Sequence, residues 1–313
     1  MLKTYNNQSI QTKLVSHERY FKEMVKLYNI NNFPKVMLLS GKKGIGKFTL
    51  VFHFLNYIYS INEINKYDVE ERIINTNSLF YNSILKNTCP DVIFFRAEEG
   101  KNIKIDDVRK LKSTLSNSSL SNNPRFIIID EVEFLNSSSV NALLKTLEEP
   151  TNNNFFILIN NQQTKLIETI SSRCIKNNIF INSNQRKKII DYLIKDYNIN
   201  LLLDDSGDLT PGLLLAYNDL STKYKISKED SILSKISKLL HAYKKDKNKN
   251  LINISLFLID LFFYNLIKKN SNNIEILLNL KSSIINKINE FNIYNLNINL
   301  VMNFIESNLK HVK

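Results

Sequence analysis

The sequence is poor in cysteine and lacks a long uninterrupted apolar run, and each absence excludes a class of protein. Cys89 and Cys174 are the only cysteines in 313 residues and stand far apart, so neither a zinc site nor a disulfide framework is expected, and the compartment is expected to be reducing. Residues 1–14 have no apolar core that would suit a secretory signal. The most apolar later run, 256–266, is interrupted by Asp260 and Asn265, so we expect a cytosolic protein without a membrane span.

The charge of the chain is positive, at +12 from 42 Lys and Arg against 30 Asp and Glu. A surplus of this sign favours an anionic partner such as nucleic acid. Lysine, asparagine and isoleucine are abundant throughout the sequence, however, so the surplus also fits a general compositional bias. Charge alone leaves both interpretations open.

The segment 38–50, Leu-Leu-Ser-Gly-Lys-Lys-Gly-Ile-Gly-Lys-Phe-Thr-Leu, has the order strand, glycine-rich loop, helix. Glycine lets the backbone curl around a phosphate chain, the helix N-terminus offers unpaired N–H groups, and a lysine adds positive charge for the outer phosphates. The alternative is a simple glycine-rich turn between a strand and a helix. The segment predicts a nucleotide-binding loop whose candidate residues are Gly41, Gly44, Ile45, Gly46, Lys47, Phe48 and Thr49.

Phe48 departs from the usual pattern of such loops, in which Ser or Thr follows the lysine and holds magnesium. The nearest hydroxyl belongs to Thr49, one residue later, and a shift of one residue rotates a helical side chain by about 100°. ATP is therefore a doubtful cofactor, and Mg²⁺ is expected only together with ATP. His17, alone in the opening segment, is predicted to be a solvated or packing residue.

Two carboxylates follow a second apolar run, in the segment Arg-Phe-Ile-Ile-Ile-Asp-Glu at 125–131. A continuous apolar run is typical of a central strand that is covered on both faces. The carboxyl end of such a strand is where ligands bind in open α/β sheets. Asp130 is expected to orient magnesium through water and Glu131 to polarise an attacking water. An exposed acidic pair at a strand end is the alternative.

Two further motifs, Leu-Leu-Lys-Thr-Leu-Glu-Glu-Pro at 143–150 and Ser-Arg-Cys at 172–174, make the chain resemble the clamp-loader branch of the AAA+ ATPases. The resemblance extends from His17 to Thr-Pro-Gly at 210–212. It implies an α/β fold class with an AAA+ P-loop domain and parallel sheet over 1–181, a small helical lid over 182–221, and an all-α collar domain for oligomerisation over 222–313. From about Thr222, four amphipathic helices are also predicted from the apolar pattern, with a basic loop at 241–249 that is either solvated or in contact with nucleic acid.

Within this branch the chain is most similar to the delta-prime type of bacterial DNA polymerase III subunit. The similarity rests on the total length, the non-hydroxyl Phe48 and the lack of a long C-terminal extension. It implies that Arg173 of Ser-Arg-Cys is an arginine finger that reaches a neighbouring subunit's nucleotide. Only Cys89 lies where many members carry a four-cysteine zinc module, so no zinc or other metal is expected. Leu213 stands where motor subunits have an arginine, and together with Phe48 this departure implies that the chain has little or no ATPase activity.

The resemblance implies a stationary subunit of the clamp loader, which places the sliding clamp on primer–template DNA during replication. Its expected partners are the gamma/tau motor and delta-type subunits in a hetero-oligomeric ring, the sliding clamp and the DNA, in the bacterial cytosol. Two alternatives stay open. One is an ATP-hydrolysing motor subunit that uses Lys47, Asp130 and Glu131, and the other is a P-loop ATPase of DNA repair or recombination.

Overall fold

The computed structural model describes residues 11–96, 103–116, 123–151, 153–197, 209–269 and 273–310. The chain divides into two compact units, Met1–Leu193 and Ile194–Lys313. The expectation about a secretory signal concerns residues 1–14, and residues 1–10 lie outside the described part of the chain.

A five-stranded parallel sheet forms the centre of the first unit, with the strand order β2-β3-β4-β1-β5. The strands β1, β3 and β4 are almost entirely buried, and β5 is an exposed edge. Because all strands are parallel, their carboxyl ends meet at one edge of the sheet. The strands are β1 (Val36–Ser40), β2 (Val92–Arg96), β3 (Arg125–Asp130), β4 (Asn154–Asn160) and β5 (Ile175–Asn178).

Helices cover both faces of this sheet, which explains why its strands are continuous apolar runs. Alternate residues of β3 enter opposite cores: Phe126 and Ile128 face one core, and Ile127 and Ile129 face the other. The first core contains α1 and α2, and the second contains α4 and α5. The helices are α1 (Glu18–Asn29), α2 (Lys47–Ser60), α3 (Leu79–Leu85), α4 (Ile105–Ser116), α5 (Ser137–Glu148), α6 (Glu168–Ser171) and α7 (Ser183–Tyr197), which contains the boundary between the units.

The second unit is helical and has a core of its own. It contains α8 (Pro211–Lys223), α9 (Ile232–Asp246), α10 (Lys249–Lys269), α11 (Ile274–Tyr294) and α12 (Ile298–Lys310). The predicted basic loop at 241–249 is wrong for most of its length, because α9 continues to Asp246. Ala242 and Tyr243 are buried, so packing extends the helix, and lysine is a good helix former. The C-cap residue Lys247 stops the helix, because its backbone is left-handed at φ 52° while its N–H still donates to the carbonyl of Tyr243.

Helix α10 is long and apolar enough, over Asn250–Lys268, to cross a membrane by length and composition alone. Within the helical unit it packs against α9 and α11. Leu251, Ile254, Leu258, Ile259 and Phe263 are fully buried in that core. The packing between helices accounts for the apolar composition of α10, since a helix buried on several sides needs apolar residues on several sides.

Candidate nucleotide-binding site

The glycine-rich loop leads from the carboxyl end of β1 into the first turn of α2, in the predicted order of strand, loop and helix. Gly44 and Gly46 adopt positive φ angles of 81° and 95°, which residues with a Cβ atom rarely adopt. A Cβ on Gly41 would lie 2.5 Å from the carbonyl oxygen of Ile179. The loop therefore needs its glycines for backbone shape and for close packing.

His17 packs against the back of this loop and is almost fully buried. Its Nε2 lies 2.6 Å from the carbonyl oxygen of Ile45, and burial lowers the pKa of the imidazole. A Cβ on Gly46 would lie 2.9 Å from the same nitrogen. His17 is therefore a packing residue, one of the two predicted roles, and the sequence shows no spacing that would link it to the loop.

Lys47 is buried and donates from Nζ to two carbonyl oxygens of its own loop. The acceptors are Gly41 at 2.7 Å and Lys42 at 2.8 Å. Burial lowers the pKa of Lys47 to about 8, although the negative charges of Asp130 and Glu133 oppose this effect. Lys47 was expected to bind the phosphates of a nucleotide. In this structure its ammonium group instead donates to carbonyl groups of its own loop.

Phe48 occupies the position in which a hydroxyl would hold magnesium, and its ring is half-buried in the apolar core. The ring centroid lies 6.1 Å from that of Phe52 on α2 and 5.7 Å from that of Phe94 on β2. Aromatic rings at these separations attract each other beyond the burial of their surface. Phe48 therefore stabilises the contact between α2 and β2. Thr49 takes the next position in α2, also half-buried.

Asp130 and Glu131 stand at the carboxyl end of β3, as expected, and both are buried. Oδ1 of Asp130 accepts the backbone N–H of Glu131 at 2.9 Å, and burial raises the pKa of Asp130. Glu131 adopts a left-handed backbone conformation with φ 59°. Such a conformation in a residue with a long side chain often marks a functional or strained position.

The carboxylate of Glu131 is held by two cationic side chains. Lys43 Nζ lies 2.9 Å and Arg96 Nη2 3.3 Å from Glu131 Oε1. Burial by itself would raise the pKa of Glu131, but the charges of Lys43 and Arg96 outweigh it and the pKa is lowered. The expected water-polarising carboxylate is thus a charged partner of two basic side chains.

The sequence did not predict these roles for Lys43 and Arg96. Arg96 ends β2, and the sheet register places it beside Asp130, with 3.6 Å between Arg96 Nε and Asp130 Oδ2. An arginine and an aspartate that end two strands are a usable signal only once those strands are known to be neighbours. Lys43 offers the weaker signal of a second lysine inside the loop.

Asn161, just after β4, connects the acidic residues at this edge of the sheet. Its backbone N–H donates to Glu133 Oε1 at 3.0 Å, and its Nδ2 donates to Asp130 Oδ1 at 3.4 Å. Burial raises the pKa of Glu133. The loop, Asp130, Glu131 and the start of the segment after β4 therefore meet where a nucleotide would bind in an open α/β sheet.

Arg173 follows the short helix α6, and its guanidinium is fixed by groups of its own chain. Glu148 Oε1 lies 2.6 Å from Nε and 2.5 Å from Nη2 of Arg173. Nη1 donates to the carbonyl of Thr169 at 2.8 Å and to Oγ of Ser172 at 3.3 Å. These contacts join the two motifs at 143–150 and 172–174. Leu213 lies in the first turn of α8, in the second unit, and is half-buried.

Among the residues that the structure describes, no group of three or more His, Cys, Asp or Glu side chains is arranged to hold a metal ion. Cys89 and Cys174 are both free thiols. Burial raises the pKa of Cys174 to about 11, and its Sγ donates to the carbonyl of Ile170 at 3.0 Å. Cys174 therefore packs as a protonated side chain next to Ile170.

Comparison with known proteins finds curated relatives that are named as subunits delta' and gamma of DNA polymerase III. DNA polymerase III subunit delta' of Buchnera aphidicola subsp. Baizongia pistaciae is 27% identical over 186 residues, 58% of this chain and 53% of the relative. DNA polymerase III subunit gamma of Buchnera aphidicola subsp. Acyrthosiphon pisum is 31% identical over 158 residues, 50% of this chain and 42% of the relative. The chain spans about half the length of the curated relatives it matches. A solved gamma subunit-related protein of DNA polymerase III from Thermotoga maritima is 19% identical with a TM-score of 0.48, covering 93% of this chain and 99% of that one.

The profile of the family described as DNA polymerase III, delta subunit, matches residues 16–181. This range contains the glycine-rich loop, the acidic strand end, Glu148 and Arg173, and it is more than half of the chain. The parallel sheet with its P-loop and the helical C-terminal region confirm the predicted α/β AAA+ fold class. The chain belongs to the DNA polymerase III delta subunit family and resembles its delta-prime members.

Proposed function

We propose that this chain is a stationary, delta-prime-like subunit of the clamp loader in DNA replication, and that it does not hydrolyse ATP. The observation that carries the proposal is the state of Glu131, whose carboxylate is paired with Lys43 and Arg96 at one edge of the sheet. A carboxylate in two ion pairs is a weak acceptor for the proton of an attacking water, because its charge is already neutralised.

The phosphate loop supports the same proposal. Phe48 offers no oxygen to magnesium and its ring packs against Phe52 and Phe94. Phosphoryl transfer depends on a metal ion that bridges the β- and γ-phosphates and neutralises developing charge. Without the hydroxyl after Lys47, a bound nucleotide would lack one of the magnesium ligands that the usual loop supplies.

Arg173 gives the chain a chemical role in an assembly. A guanidinium stays charged and presents donors in a planar fork, so it stabilises charge that develops on a transferred phosphoryl group. Its side chain is 31% exposed on the first unit and is held in one orientation by Glu148. We propose that it reaches the ATP of a neighbouring subunit, which would make hydrolysis depend on assembly.

The remaining expectations are part of the same proposal. The division into an AAA+ domain, a lid over 182–221 and a collar over 222–313 would let the chain join a ring with gamma/tau and delta-type subunits. Relatives named as subunits delta' and gamma of DNA polymerase III support these partners. The sliding clamp and primer–template DNA would be further partners, in the bacterial cytosol. Contacts of lysines with the DNA backbone should weaken as salt increases.

An active motor subunit is the second candidate function, because Lys47, Asp130 and Glu131 do meet at one edge of the sheet. ATP turnover by the purified chain with magnesium, beside Lys47→Ala, separates the two candidates. Turnover that disappears in Lys47→Ala would establish the motor function. The stationary function predicts no turnover in either protein.

The role of Arg173 is tested in an assembly reconstituted with the gamma-type subunit of the same organism. Arg173→Ala should lower ATP turnover by about a thousandfold or more, since loss of an arginine finger costs roughly 10³ to 10⁵ in kcat. Lys188→Ala, which removes an exposed charge on α7, is the matched control and should turn over ATP at the normal rate. Normal turnover with Arg173→Ala would refute the arginine-finger role.

A further inference from the structure

Arg173 has a polar partner for each of its guanidinium nitrogens before any neighbour is present. Nε and Nη2 both approach Glu148 Oε1, and Nη1 donates to Thr169 and Ser172. Glu148 is the last residue of α5, whereas Thr169 and Ser172 belong to the turn of α6 that carries Arg173. Contacts from two different elements leave a long side chain little rotational freedom.

The two acceptors from α6 move with Arg173, because they belong to the same turn of the chain. Glu148 is different, since it reaches Arg173 from a separate helix that is anchored in the core by Leu143 and Leu147. One oxygen of its carboxylate, Oε1, lies 2.5 Å from Nη2 and 2.6 Å from Nε of Arg173. Glu148 therefore fixes the orientation of the Arg173 side chain relative to the core of the first unit.

We infer that Glu148 is a positioning residue for Arg173, an inference that rests on the proposed arginine-finger role. It holds the guanidinium in the orientation in which the finger meets the phosphates of the neighbour's ATP. An arginine side chain carries considerable rotamer entropy, and fixing it beforehand removes that cost from the reaction step. In this role Glu148 touches neither the nucleotide nor the attacking water and acts through Arg173 alone.

This role predicts a specific kinetic change in the reconstituted assembly. Glu148→Ala should lower kcat by about tenfold, because small displacements of a positioned group cost this much or more. KM should stay unchanged, because an arginine finger acts mainly on charge that develops in the transition state. Glu148→Gln keeps an acceptor oxygen at the same position and should recover most of kcat. The neighbouring exposed residue gives the matched control Glu149→Ala, which should be normal.

A purely structural effect of Glu148 is distinguished by repeating the change in Arg173→Ala. The inference predicts no further loss of kcat in the double variant, since the group that Glu148 positions is gone. A further tenfold loss there would overturn it, as would an unchanged or higher kcat in Glu148→Ala. Urea unfolding and size-exclusion chromatography of each assembly verify that all variants fold and assemble.

The two variants distinguish loss of the positioning role from loss of the arginine-finger role. If Arg173→Ala lowers turnover and Glu148→Ala does not, the positioning role is wrong and the arginine finger remains. If Arg173→Ala itself has normal turnover, the arginine-finger role fails and the positioning role fails with it.

Discussion

Replacing Glu131 by glutamine should destabilise the first unit, although the two side chains have nearly the same shape. The change removes one negative charge that lies 2.9 Å from Lys43 and 3.3 Å from Arg96. At an effective dielectric constant of about 20, the two attractions amount to roughly 6 and 5 kcal/mol. Desolvation of the buried carboxylate offsets several kcal/mol of this attraction.

The net loss should be smaller than for a fully buried pair. The side chains of Lys43 and Arg96 are 22% and 40% exposed, so both cations regain hydration when the carboxylate is removed. Loss of one member of a fully buried pair costs about 3–5 kcal/mol. We therefore expect the free energy of unfolding of Glu131→Gln to be about 2 kcal/mol lower than that of the wild type at pH 7.

Urea unfolding at pH 7, with Glu133→Gln as the matched variant, measures this effect. Burial raises the pKa of Glu133, so its surroundings already disfavour the charge, and we expect its replacement to cost less than about 1 kcal/mol. Equal losses in the two variants, or a Glu131→Gln protein as stable as the wild type, would refute the reasoning.

The same comparison at low pH gives an independent check. The folded-state pKa of Glu131 lies below its ordinary value of 4.5. Its charge therefore contributes stability above that pH, and the contribution is lost as the pH falls through the folded-state pKa. The difference between the wild type and Glu131→Gln should shrink below pH 4.5. A difference that stays constant there would show that the carboxylate stabilises the fold through something other than its charge.

Three further changes probe the loop, each by urea unfolding. Phe48→Ala should cost about 2 kcal/mol, less than for a fully buried ring, because Phe48 is half-buried; no loss would contradict its packing role. Gly46→Ala should lower the free energy of unfolding by at least about 1 kcal/mol, because alanine is strained at a φ of 95°. The added Cβ would also lie 2.9 Å from His17 Nε2, so adding His17→Ala to this variant should relieve the clash alone, and full recovery of stability would contradict the effect of the φ angle. Because the pKa of Lys47 falls to about 8 on folding, the unfolded chain binds more protons above that pH. Raising the pH from 7 to 9.5 should therefore stabilise the wild type relative to Lys47→Met by about 1–2 kcal/mol, and a constant difference would contradict the lowered pKa.

Local sequence was sufficient to predict β1, β3, α2 and the four helices α9 to α12, but not the short edge strand β5, none of whose residues is buried. The runs that became β3 and β4 are apolar over their whole length because helices cover both faces of the sheet. Asn136 is a residue type that favours the start of a helix, and its side chain accepts the N–H of Ser139 at 2.8 Å just before α5. The end of α9 was not predictable from charge, since burial of Tyr243 keeps a lysine-rich segment helical.

The partners of the candidate site residues depend on tertiary structure and could not be predicted in the same way. Arg96 ends β2 and Glu131 follows β3, and their contact depends on strand order, which periodicity does not reveal. Glu148 and Arg173 stood in two recognised motifs, but only the packing of α5 beside α6 shows that they are in contact. The sequence therefore predicted the identity of the candidate site residues, but not the side chains that contact them in the folded chain.

The position of β1 in the sheet has a consequence for synthesis of the chain. Both neighbours of β1 come late in the sequence, since Val36 pairs with Phe156 of β4 and Met37 with Ile175 of β5. During translation, β1 and the phosphate loop that follows it emerge from the ribosome long before either partner strand has been synthesised. Until β4 emerges, the apolar side chains of β1 have no sheet core to enter and its backbone N–H and C=O groups have no partner strand, so the segment is open to aggregation or chaperone binding. A nascent chain stalled before residue 154 should therefore be protease-sensitive around β1. A chain stalled after residue 178 has emerged from the ribosome should be protected there.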